Sequence, residues 1–198
     1  MRAAPGAGSA HQAEPAPEEE PRVSTRYDTR AETIALRSIE IMASGTYDDF
    51  VETVHPDFIN HEAKDEPPEC RVAYGPDAAY ATALWLRDAF AELRFDIHEV
   101  VAERDLVVVH LSMSGRHVRP FVGYDAEARV SEAFPPTGKR FSVLHTHWLR
   151  IADGKAAEHW ANRDDLGLAI QLGWVPPTPV YLWRMRRAKR RAIREQTE

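Results

Sequence analysis

The chain has a single cysteine, Cys70, in 198 residues. That excludes an internal disulfide framework and a structural zinc site built from several thiolates. It also fits a reducing compartment, so a cytoplasmic protein is expected. No apolar run approaches the roughly 20 residues that a membrane helix needs, and the first residues lack the apolar core of a signal peptide. No glycine-rich phosphate loop follows a strand, and no Gly-x-Ser-x-Gly elbow occurs. Hydride transfer and acyl-enzyme chemistry are therefore not suggested. Cys70 stands in a proline-flanked loop with no sequence argument for use as a nucleophile.

What is present reads as one domain with two tails. Hydrophobic residues make up 43% of the chain, enough for a core at this length. Residues 1–26 hold Pro5, Pro15, Pro17 and Pro21 and almost nothing apolar larger than alanine. Such a segment cannot offset its ordering entropy by burial and is expected to be disordered. Residues 27–179 form the expected domain. Residues 180–198 carry seven basic side chains against Glu195 and Glu198, a local charge of +5 that leaves −11 for the rest of a chain whose total is −6. An apolar stripe of Tyr181, Met185, Ala188 and Ala192 marks this tail as a helix that docks on its own domain or a second subunit. The acidic body opposes docking on phosphates, so nucleic acid is not an expected partner.

Between the tails, the spacing predicts helices over 30–44, 48–54 and 76–91, with Asp48 as an N-cap and Gly45 closing the first. His55-Pro56-Asp57 is expected to break the second helix before a short strand over 58–63. Strand signals follow over 93–102 and 106–118. Residues 119–139 read as an irregular rim loop or lid. Residues 141–150 and 156–160 then form a hairpin around Asp153-Gly154, whose positive φ values suit a primed turn. Phe141, Val143, His145, His147 and Leu149 share one face of the first of these strands. The second strand brings His159 or Trp160 alongside them, depending on register. A helix opens near Asp164 and Asp165. Helices first and a curved antiparallel sheet after them define an α+β fold, with a cone whose interior is the expected ligand site.

The order of several short segments resembles the SnoaL-like polyketide cyclase group of the nuclear transport factor 2-like superfamily, over about residues 30–177. These segments are Tyr47-Asp48-Asp49-Phe50, His55 to His61, Gly75-Pro76, Phe95 to Asp105, Gly115-Arg116-His117, Pro136 to Lys139, Asp153-Gly154-Lys155, Glu158-His159-Trp160, Asp164, Leu166-Gly167 and Gln171-Leu172-Gly173. The resemblance implies a cone-shaped α+β barrel, a dimer paired through the sheet, and a site that needs no cofactor. It also implies an aspartate near the end of the last strand as general acid and base in an intramolecular aldol closure of an aromatic polyketide ester. Asp164 matches that position, with Asp165 adjacent. His145 and His147 are the matching histidines, while Asn60, His61 and His117 match polar positions around the acid. Trp85, Phe90 and Trp160 are expected among the aromatic walls of a site for a bulky, hydrophobic substrate.

The same residues have structural readings. Asp164 or Asp165 is also a natural helix N-cap, and Arg163 is placed to lower the basicity of Asp164. His145 and His147 also suit a core or a dimer interface, and an Asx turn accounts for Asn60 and His61. The pair His145-x-His147 suits a metal as in cupins, but Ile151 and Ala152 stand where a cupin glutamate belongs, so no metal is expected. Two function classes follow. One is a proton-transfer enzyme of lyase or isomerase type, and the other is a non-catalytic ligand-binding or dimerisation module. A roomy cone with Asp164 inside marks the first, and Asp164 turned to solvent as a cap marks the second.

Overall fold

The computed structural model describes residues 30–72 and 74–197. The disorder expected for residues 1–26 lies outside them. Helix α1 (Arg30–Ser44) buries Ala35, Ser38, Ile39 and Ile41 and ends where the Gly45 N–H returns to the Ile41 carbonyl at 2.8 Å. Helix α2 (Tyr47–Thr53) starts one residue earlier than its pattern suggests, because Thr46 and Asp49 form a reciprocal capping box. Strand β1 (Val54–Asn60) runs through His55-Pro56-Asp57. Proline is tolerated there because β1 lies at a sheet edge and its pairing is irregular between Val54 and Ile59. A 3-10 turn (Ala63–Asp65) and a short helix α3 (Pro68–Val72) lead to α4 (Gly75–Ala89).

Gly75 has φ +63°, and a Cβ there would meet the Pro56 carbonyl oxygen at 2.3 Å, so α4 starts in contact with β1. At its other end, Arg87 donates to the carbonyls of Met42 at 2.9 Å and Gly45 at 2.8 Å, and also to that of Ile41. One guanidinium thereby satisfies the open carbonyl end of α1 and fixes the two long helices together.

Strands β2 (Phe90–Glu103), β3 (Leu106–His117), β6 (Arg140–Ala152) and β7 (Lys155–Arg163) complete the main sheet, in the order β1-β7-β6-β3-β2. The sheet is mixed, because β1 joins β7 in parallel. The rim segment expected to be irregular holds a hairpin of its own, β4 (Phe121–Tyr124) and β5 (Val130–Phe134). Asp153 and Gly154, at φ 50° and 74°, turn β6 into β7 as the sequence predicts. β7 runs on to Arg163, three residues past the end that its pattern indicates.

Strict alternation on β3 and β6 turns Val107, Val109, Leu111, Met113, Phe141, Val143, His145, His147 and Leu149 inward. The apolar ones among them form one core cluster with Ala35 and Ile39, while Ile41, Phe50, Val54, Phe58, Ala79 and Ala83 form a second. Helix α5 (Asp165–Leu172) closes with Gly173 in the left-handed region. Helix α6 (Pro179–Thr197) lies along β5 of its own domain, with Tyr181 buried and its hydroxyl donating to the Pro135 carbonyl at 3.2 Å.

Candidate active site in the cone

A cavity opens where residues of the two core clusters face each other. It holds about 860 Å³ of space free of atoms, counted out to its open mouth, and is walled by α1, α2, β1, α4, β2, β3, β6 and β7. Its apolar walls include Ile39, Met42, Phe50, Phe58, Trp85, Phe95 and Met113, and its polar residues include Asn60, Glu62, Glu66, Thr82, His145, His147, His159 and Arg163.

The register of the β6–β7 hairpin places these polar groups. His147 pairs with Ala161, His145 with Arg163 and Leu149 with His159, so the inward residues of β7 are His159, Ala161 and Arg163. On the parallel side Asn60 pairs with His159. The result is a chain of hydrogen bonds whose direction can be assigned. The Glu62 N–H donates to Asn60 Oδ1 at 3.1 Å, which makes that atom an acceptor. His159 Nδ1 lies 2.9 Å from the same oxygen and therefore carries the proton. Neutral His159 then has a lone pair on Nε2, which accepts from His147 Nδ1 at 2.8 Å. His147 Nε2 is left with a bare lone pair, buried and without a hydrogen-bond partner among the described residues.

The environment keeps the imidazoles neutral. Burial first, then the neighbouring His159, His145 and Arg163, hold His147 well below the ordinary histidine range. Burial and Arg163 bring His145 and His159 down to about 4. Glu66 moves the other way: burial raises its carboxyl above the ordinary value against opposing contributions from Thr82, Arg163 and Asn60.

Several expected site residues lie elsewhere. Asp164 is exposed and caps α5, its Oδ1 accepting the Gly167 N–H at 2.8 Å. A Cβ at residue 167 would stand 2.1 Å from that carboxylate, so the cap is tightly fitted. This corrects the expectation that Asp164 reaches into the cone: the chain leaves the sheet after Arg163, and Asp164 is the residue that must satisfy the new helix. Asp165 is also exposed, 3.5 Å from Arg163 Nε. Trp160 falls on the outer face opposite Trp148, where His61 stacks on it at 4.5 Å and bonds Glu158 at 2.9 Å.

His117 is fully buried outside the cavity between Phe90 and Trp174, with its Nδ1 accepting the Thr137 N–H at 3.3 Å. Phe90 packs on Phe121 and Phe141 and does not line the cavity. Of the expected residues, the cone brings together His145, His147, Asn60 and Trp85, the last held by an Nε1 bond to the Val122 carbonyl at 3.1 Å. His159 was one of two alternatives left by the unknown register. Glu66 and Thr82 carried no sequence signal. No group of three or more His, Cys, Asp or Glu side chains among the described residues is arranged to hold a metal ion.

A carbonyl-rich cavity ligand would meet here a free imidazole nitrogen, a fixed guanidinium and a buried carboxyl, the set needed to move protons at carbon. Residues 32–172 match the SnoaL-like polyketide cyclase family, and the chain belongs to it. The chain is 37% identical to aklanonic acid methyl ester cyclase DnrD of Streptomyces peucetius over 148 residues, which is 74% of this chain and 92% of the relative. It is 33% identical to nogalonic acid methyl ester cyclase of Streptomyces nogalater over 131 residues, 66% of this chain and 87% of the relative. Among solved structures, TsrD from Streptomyces laurentii aligns with a TM-score of 0.59 at 25% identity, covering 73% of this chain and 95% of its own. No helix among the described residues is long and apolar enough to cross a membrane.

Proposed function

We propose that this chain is an ester cyclase that works without a cofactor, closing a ring on an aromatic polyketide ester by proton transfer and aldol addition. The observation that carries this reading is the directed chain from Asn60 through His159 to His147, which ends in an unpartnered lone pair on the cavity wall. His147 Nε2 takes a proton from a carbon flanked by carbonyls. The imidazolium so formed keeps its Nδ1 proton on His159, which Asn60 holds in the required tautomer.

A histidine held this far below its usual range is a weak base, so the carbon acid must be made stronger in turn. Arg163 lines the same cavity as a permanent cation and steadies the enolate oxygen as it forms. The aromatic substrate lies against Trp85, Phe95 and Phe58. The family resemblance assigns the acid–base role to a carboxylate at the end of the last strand. β7 turns none into the cavity, which shifts the task to the histidines.

The test is carbon-bound deuterium exchange, followed by NMR in heavy water with chelator present, on aklanonic and nogalonic acid methyl esters and on simple 1,3-dicarbonyl compounds. The wild-type chain is expected to exchange and cyclise. His147→Gln is expected to lose both by about 10²–10⁴-fold, the usual weight of a general base, while still binding the ester. The position of Asp164 favours a second reading, in which the cone only binds the aromatic ligand. Tight ester binding with no exchange in the wild type would establish that one.

A further inference from the structure

Two carboxyl groups edge the cavity, Glu62 and Glu66. Glu66 is 4% exposed and is the one Asp or Glu among the described residues that is buried. Its side chain has Asn60 from β1, Cys70 from α3, Thr82 from α4 and Arg163 from β7 as neighbours, and its main-chain carbonyl accepts from Arg71 Nε at 2.8 Å. None of them forms an ion pair with it among the described residues, and Arg163 pairs with Asp165 instead. Asn60 Nδ2 donates to Glu66 Oε1 at 3.3 Å.

The other oxygen, Oε2, is 2.5 Å from Thr82 Oγ1, and that hydroxyl also lies 3.2 Å from the Ala78 carbonyl. A carbonyl can only accept, and threonine has one hydroxyl proton. One proton lies in the short contact between Thr82 Oγ1 and Glu66 Oε2, and the Ala78 carbonyl needs none from Thr82 because it already accepts inside α4. The carboxyl is thus held by neutral side chains with no cation paired to it, and it is shut off from water. Burial without a paired cation outweighs these donors and raises the affinity of the group for its proton.

We infer that Glu66 stands in the cone as a neutral carboxylic acid and donates its proton to the alkoxide formed on ring closure. The inference rests on the cyclase reading above. In that step the carbon–hydrogen bond breaks and its proton goes to His147 Nε2, while the enolate carbon forms a bond to a second carbonyl carbon. The π pair of that carbonyl moves to its oxygen, and the O–H of Glu66 breaks to protonate it. Glu66 is left as carboxylate and His147 as imidazolium, and exchange with solvent returns one proton to the first and removes one from the second. Substrate and product are isomers, so no oxidant or reductant is needed.

Glu66→Gln keeps the shape of the group, with a carbonyl for Asn60 and an N–H for Thr82, but it cannot release a proton. Infrared difference spectra of the wild-type and Glu66→Gln chains at neutral pH are expected to show a protonated-carboxyl band that the substitution removes. On the two esters named above, Glu66→Gln is expected to exchange deuterium within about threefold of wild type yet lose ring closure by at least about 10²-fold, since donor and base act in separate steps. The melting temperature should be unchanged.

Absence of the band, or closure at the wild-type rate, would overturn the inference. Equal loss of exchange and closure would overturn it as well, because Glu66 would then act through Asn60 on the base. A wild-type chain that shows the band but exchanges nothing would instead overturn the cyclase reading together with the donor role.

Discussion

On the inner face of the sheet, His145, His147 and His159 line the cone, and among the described residues His145 Nδ1 and His147 Nε2 have no hydrogen-bond partner. On the outer face of the same sheet, His98 bonds Ser112 at 2.7 Å, His110 bonds Thr146 at 3.2 Å, and His61 bonds Glu158 at 2.9 Å while stacking on Trp160. The residue type and the sheet are the same. Enclosure and partners differ, and they separate the two sets. The outer rings are bonded to neighbouring side chains, whereas burial holds the inner rings neutral and leaves the His147 Nε2 lone pair free among the described residues. A shift of one residue of β7 against β6 would turn His159 out of the cone and Trp160 into it.

The comparison predicts a large dependence of stability on pH, carried by the inner set and by buried His117. Burial lowers His117, His145 and His159 to about 4 from 6.5, and His147 lies well below that value too. In each case the unfolded chain binds the proton first. Stability is therefore whole above about pH 6.5 and is lost as pH falls toward 4, each titrating histidine contributing up to about 1.4 kcal/mol per pH unit. Glu66 has the opposite sign, since its raised folded value favours the fold as pH falls, but it is one group against four. Melting curves between neutral pH and pH 4 should show a steep decline. His117→Gln, which leaves the cavity untouched, should flatten it by about one proton. A flat profile for the wild type would show that the inner rings are not held neutral.

The second prediction concerns Asp164, which stands where the strand that carries the inner set ends. As a cap it accepts one backbone N–H, so Asp164→Ala should cost about 1 kcal/mol of stability, and Asp164→Asn only a few tenths, since asparagine caps nearly as well. Both variants should keep deuterium exchange within about twofold. Exchange lost in Asp164→Asn with an unchanged melting temperature would restore the role that the sequence suggests for it.

Much of this was legible beforehand. Period-two alternation in Phe141 to Leu149 gave the inward face of β6 directly, and Asp153-Gly154 gave its turn, because both signals are local. The choice between His159 and Trp160 was not local. It depends on where β7 pairs with β6, and on the parallel addition of β1, a long-range contact without a sequence pattern. Asp164 was ambiguous because the same carboxylate suits a cap and an acid, and only the exit angle of the chain decides. Glu66 lay in a polar, proline-rich stretch that reads as solvent-exposed loop. Its burial comes from the packing of that loop against α4, where Thr82 receives it, and no spacing rule reports such a contact.

The smallest effect belongs to the outer pair. His61 and Glu158 are joined at 2.9 Å with side chains 36% and 29% exposed, and Arg150 reaches the second oxygen of Glu158 at 3.2 Å. Solvent screening and the entropy of holding these side chains reduce such contacts to about 0.2–1 kcal/mol. His61→Gln and Glu158→Gln should therefore each change stability by less than about 1 kcal/mol. Cyclisation should stay near the wild-type rate in both, because the stack of His61 on Trp160 lies across the sheet from His147 Nε2. If His61→Gln instead lowered turnover as far as His147→Gln does, the outer face would take part in the chemistry, and the division between the two sets of histidines would fail.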